Sequence, residues 1–168
     1  VGTGFIRFFR LVDAAFGRIE VYALVVIVSL MLVLASVQVV LKFLGQGAQW
    51  LEMSLRALVV WVGFVGGAVA SKQSRHITID VASRFTRGTT KRILTGTINI
   101  CASCGSTLLG YIAIRFLAQK HEDKSVAFSA PFVGEVHEYL VAVVIPVGLF
   151  LMAFHFLVAG LCAIFGED

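Results

Sequence analysis

The sequence predicts an all-α integral membrane protein with four transmembrane helices, and three observations carry that expectation. Apolar residues fill 58% of the 168 positions and charged residues 14%, against about 45–50% and about 25% in soluble domains. Four runs are long and apolar enough to cross a hydrocarbon core of roughly 30 Å, which takes about 20 helical residues. The charges gather in the segments between those runs. With a mean hydropathy of +0.92, a water-soluble fold of this length could not hide its apolar surface, so lipid is the solvent for much of it. Residues 1–168 form one membrane domain.

The first expected span covers about 21–41 and carries no charge. The second covers about 50–71, charged only in its first turns at Glu52 and Arg56. The third covers about 93–114 and is uncharged but rich in small and polar residues. The fourth covers about 139–165, with His155 inside it and Pro146 placed to kink it. Ahead of the first span, Phe5, Phe9, Val12 and Phe16 recur at helical spacing with Arg7, Arg10 and Asp13 between them. That pattern predicts an amphipathic helix in the headgroup region before the chain turns into the bilayer.

Lys and Arg set the expected orientation. The 2–3 connection holds Lys72, Arg75, Arg84, Arg87, Lys91 and Arg92 against Asp80. The 3–4 connection is mixed, with Arg115, Lys120 and Lys124 against Glu122, Asp123, Glu135 and Glu138, and the first turn has only Lys42. By the positive-inside rule the basic 2–3 connection is cytoplasmic and both termini are in the cytoplasm (N-in, C-in). Ile77, Ile79 and Val81, followed by Arg84 and Arg87, suit the same surface. Anionic lipid, not nucleic acid, is the expected partner there, at roughly 1 kcal/mol per basic side chain.

Several features could carry chemistry. Gly63, Gly67 and Ser71 are spaced by four on the second helix, as are Ala102, Ser106 and Gly110 on the third; such faces let helices approach closely, within the chain or against another subunit. Glu52 and Arg56 are placed to pair, with Trp50 at the outer interface. Cys101, Cys104 and Cys162 lie in apolar runs, where thiols act as small hydrophobes. His155 has no second histidine at a matching depth for haem, since His76 lies at one membrane face and His121 and His137 at the other. There is no nucleophile–base pair, zinc motif or phosphate loop, so neither an enzyme nor a cofactor or metal site is expected. The centres of the first three spans also lack the acids of a self-sufficient ion-coupled transporter. The pattern is that of a scaffold. Two alternatives remain at this point: a homo-oligomeric small transporter or channel lined by Gln38 or Asn99, and a haem or redox subunit using His76 and His155.

The second helix carries a resemblance. Trp50-Leu51-Glu52, Arg56, Trp61, Phe64, Gly66 or Gly67, Ala68 and His76-Ile77-Thr78-Ile79-Asp80 follow an order that resembles the DctQ-type small membrane subunit of TRAP (tripartite ATP-independent periplasmic) transporters. Ile145-Pro146-Val147-Gly148 is similar to that family's Ile-Pro-φ-Gly on the fourth helix. Met53 stands where the family often has a second acid. The resemblance implies a non-enzymatic scaffold subunit in the bacterial inner membrane. Its partners would be a large elevator-type membrane subunit, which carries the sodium and substrate sites, and a periplasmic substrate-binding protein. The transported class would be organic acids. It further implies that His76 and Asp80 order the cytoplasmic connection, with Asp80 capping its start. Gln49, Lys120, Glu122, Asp123, Lys124, Glu135 and Glu138 would face the binding protein.

Overall fold

The computed structural model describes residues 2–85, 89–131 and 134–165, leaving out the side chains of 2–7, 10, 74–85, 89, 91 and 165. Its elements are α1 (Gly2–Phe43), α2 (Gln49–Phe85), α3 (Thr89–Glu122), β1 (Val126–Ala130), β2 (Gly134–His137), α4 (Glu138–Ala142) and α5 (Val144–Phe165). Four stretches are long and apolar enough to cross a membrane: Leu11–Phe43, Gln49–Gln73, Arg92–Glu122 and Glu138–Ile164.

The first three helices outrun the expected spans, because apolar runs mark the bilayer while helices end only where the backbone is interrupted. α1 passes without a break from Gly2 into its span, so the N-terminal segment is not a separate helix that turns. Phe9 and Phe16 meet Phe154 of α5, with ring centroids 6.4 and 5.9 Å apart. α2 likewise continues to Phe85 and α3 starts at Thr89, so most of the expected 2–3 connection is helix. The link between α1 and α2 is short and specified: Gly45, at φ 72°, ends α1. Its N–H donates to the Lys42 carbonyl and that of Gln46 to Leu41, a Schellman cap that only a residue tolerant of positive φ closes cheaply.

Pro146 interrupts the fourth span as expected. It has no N–H for the Ala142 carbonyl and its ring crowds that turn; the helix breaks at Val143, dividing α4 from α5. The indole N–H of Trp61 donates to the nearby Val141 carbonyl at 3.2 Å. A two-stranded antiparallel hairpin is the departure from an all-α chain among the described residues. Val126 pairs with His137 and Ala130 with Gly134, with a bulge between Val126 and Phe128. Lys124 (φ 47°) follows α3 in the left-handed region, where the chain turns towards the strands.

α5 is the centre of the bundle, packing on α3 most extensively, then on α2 and less on α1, while α1 leans on α2. The seams rest on small residues. A Cβ on Gly148 would lie 2.8 Å from Phe64 Cβ and 3.2 Å from its carbonyl oxygen. One on Gly96 would strike Ile164, and one on Gly110 would press on the Phe150 ring. Several polar groups of α3 find partners, though the buried Thr95 hydroxyl has none among the described residues: Ser103 donates to the Ala153 carbonyl across the α3–α5 seam, Asn99 to the Thr95 carbonyl and Thr107 to the Ser103 carbonyl. This is how a polar helix becomes tolerable in lipid, where an unmet hydrogen bond costs several kcal/mol.

Candidate functional site

Ionisable groups buried in a membrane bundle are costly and therefore mark function or specificity. Here they meet where three helices converge. Asp13 and Glu20 lie on one face of α1, seven positions apart with Gly17 between them, and are 3% and 4% exposed. His155, on α5, is fully buried. Its Nδ1 is 2.6 Å from Asp13 Oδ1, and its Nε2 is 2.8 and 3.1 Å from the two Glu20 oxygens. Two such contacts require two protons shared between the ring and the carboxyls.

The fourth member comes from α2. The Lys72 ammonium donates to the Asp13 backbone carbonyl at 2.8 Å. It can lie there because Gly17 has no side chain: a Cβ on Gly17 would stand 2.0 Å from Lys72 Nζ and 2.8 Å from its Cε. With the His155 ring carrying both protons, the two acids and two bases are electrically neutral as a set, which limits the cost of burying them. Ser71, beside Lys72, is buried and donates to the Ala68 carbonyl. The cluster is a clasp joining α1 to α2 and α5. Among the described residues no group of three or more His, Cys, Asp and Glu is arranged to hold a metal ion.

Sequence reasoning weighed His155 only as a haem ligand and placed Asp13 on a headgroup-facing helix; it missed Glu20 and Lys72 as its partners. The available signal was the acid–glycine–acid spacing of Asp13, Gly17 and Glu20 just ahead of an uncharged run. Nothing local tied it to a histidine 135 residues further on.

The other expected residues divide by place. Glu52 and Arg56 do pair, at 2.6 Å, on an exposed face. Trp50, at the start of α2, is half-buried. Phe64 and Gly67 form the α2 side of the seam with α5, against Gly148 and Met152, and Trp61 bonds to Val141 of α4. Gly67 and Ser71 therefore pack internally, while Gly63 points into open space with nothing within 4 Å. On α3, Gly110 is buried while Ala102 and Ser106 are half-buried. The tightest contacts of that face run through Gly96, Ser103 and Gly110 instead. His76 and Asp80 lie inside α2, not at a helix start, and their side chains are outside the described residues.

At the opposite end of the bundle, Lys120 and Glu138 form a 2.6 Å ion pair that ties α3 to α4 across the hairpin. His121 stacks on Tyr139 at 4.9 Å, and His137 lies 5.6 Å from the same ring. Gln49, Glu122, Asp123, Lys124 and Glu135 are exposed at this end.

Comparison with known proteins agrees with this architecture. The family model described as "Tripartite ATP-independent periplasmic transporters, DctQ component" matches residues 31–166, most of the chain. No curated protein and no solved structure matches it. The match includes all of α2 and α5, and across their seam Phe64 meets Gly148 and Gly67 meets Met152. The chain belongs to the DctQ family, the small membrane component of the TRAP transporters.

Proposed function

We propose that this chain is the static scaffold of a sodium-coupled organic acid uptake system in the bacterial inner membrane. In this reading it holds a large elevator-type subunit, which carries substrate and sodium, and offers part of the docking surface for a periplasmic binding protein. The family match over residues 31–166 carries the proposal. The internal design supports it: the buried charges are spent on one another in the Asp13–His155–Glu20–Lys72 clasp, as suits a rigid body.

The chain is oriented N-in, C-in, which puts the clasp towards the cytoplasm and the hairpin towards the periplasm. The hairpin end then presents Gln49, Glu122, Asp123, Lys124 and Glu135 to the binding protein, a set of mixed charges suited to transient, salt-sensitive docking. A tag on this chain, followed by detergent extraction and identification of what copurifies, tests the assignment. A stoichiometric and much larger polytopic partner is expected, and the recovered complex should take up organic acid only with its binding protein and sodium. A homo-oligomer that transports alone would refute the scaffold role.

A further inference from the structure

A groove of about 500 Å³ lies between α1 and α2, lined by Gly17, Arg18, Val21, Tyr22, Val69, Lys72 and Gln73. Its volume is within the roughly 300–1,000 Å³ of small-molecule sites, but its chemistry is divided by depth. Arg18 and Lys72 stand at one level, and one turn further along each helix Val21 and Val69 begin the apolar wall. Lys72 is the penultimate residue of the second membrane-crossing stretch, Gln49–Gln73. On α2 the step from cation to apolar wall thus falls at the end of the membrane-crossing stretch, and on α1 it falls where the uncharged run begins at Val21. That is the order in which a phospholipid headgroup meets its acyl chain. Tyr22, 73% exposed beside it, suits that level too.

We propose that this groove binds one anionic phospholipid, its phosphate between Arg18 and Lys72 and an acyl chain along Val21 and Val69. No carboxylate lines the groove. Asp13 and Glu20, one turn or less from Gly17 and Arg18 on α1, bond to His155. Among the described residues no carboxylate pairs with Arg18. The Lys72 ammonium has three N–H donors, of which one is given to the Asp13 carbonyl. Arg18 supplies the unbalanced positive charge of the groove, and Lys72, whose charge the clasp already balances, supplies its remaining N–H donors, so a net negative headgroup is favoured. The choline of a zwitterionic lipid would set a second positive charge beside Arg18. A bound lipid would fill the seam between α1 and α2, joining the outermost helix to the bundle.

The test uses the full chain, purified and placed in nanodiscs of phosphatidylcholine alone or mixed with phosphatidylglycerol, with retained lipid counted by native mass spectrometry. One phosphatidylglycerol is expected to stay bound, and R18Q should weaken its retention about five-fold. V69F, which fills the apolar part and leaves both cations, should weaken it as well. K42Q, which removes an exposed cation at the far end of α1, should not. Excess inorganic phosphate should fail to displace the lipid. The proposal is overturned by equal retention of phosphatidylcholine, by equal effects of R18Q and K42Q, by full retention in V69F, or by displacement with phosphate.

Discussion

Gly17 shows how one missing side chain organises four charged ones. Alanine there would ordinarily stabilise a helix by about 0.5–1 kcal/mol, but its Cβ would fall on the Lys72 ammonium. Displacing that group from the Asp13 carbonyl forfeits a charged hydrogen bond worth about 1.5–3 kcal/mol. G17A should therefore lower the unfolding temperature in detergent, whereas in a K72M background the same change should raise it. The sign reversal is the measurement that matters, since a purely steric or purely intrinsic effect would keep one sign. His155 is the stricter case: H155L leaves two buried carboxylates without their shared protons and should cost about 3–5 kcal/mol. The triple change D13N, E20Q and H155L should recover part of that loss, as removal of a whole buried cluster is milder than removal of one partner.

At the scale of elements, the helices are joined by seams whose closeness can be tested glycine by glycine. G148A would drive a Cβ against Phe64, including its backbone oxygen, which cannot rotate away. Separating α2 from α5 should cost about 1–3 kcal/mol. G63A meets nothing within 4 Å and should be neutral or stabilising in the isolated chain. Thermal unfolding of the two variants side by side checks that ranking. The hairpin carries a functional prediction. E135K changes an exposed charge on β2 and should weaken uptake at limiting binding protein while the membrane complex still copurifies intact. E138K also breaks the Lys120 ion pair, so it should disturb the hairpin itself; unchanged uptake in E135K would count against docking at this end.

Across the whole molecule, polarity is distributed by end. The buried ionisable cluster sits towards the end that carries Lys72 and Arg92, and the exposed mixed charges sit at the hairpin end. No residue in the apolar window of α1 is fully buried by the rest of the chain, and the clasp is a polar attachment of that helix to α2 and α5. A chain lacking residues 1–20 removes both acids and leaves His155 and Lys72 without them. Its α1 should lose protection from hydrogen exchange relative to α3 and α5, and uniform protection across the three helices would contradict the clasp.

Span number and type were legible from the sequence because they depend on local quantities: run length, the absence of charge, and a proline that denies its turn a hydrogen bond. The Glu52–Arg56 pair was legible for the same reason, being one helical turn apart. The family resemblance was readable too, from the order of Trp61, Phe64, Gly67 and Pro146, and two of these, Phe64 and Gly67, meet α5. Tertiary structure alone decided which small residues face inward, so that Gly67 packs on Met152 while Gly63 looks outward. It also decided that Asp13, Glu20, Lys72 and His155 belong together. Their partnership is a matter of distance between helices, and a chain's hydropathy records how each residue meets its solvent, not which distant residue replaces that solvent.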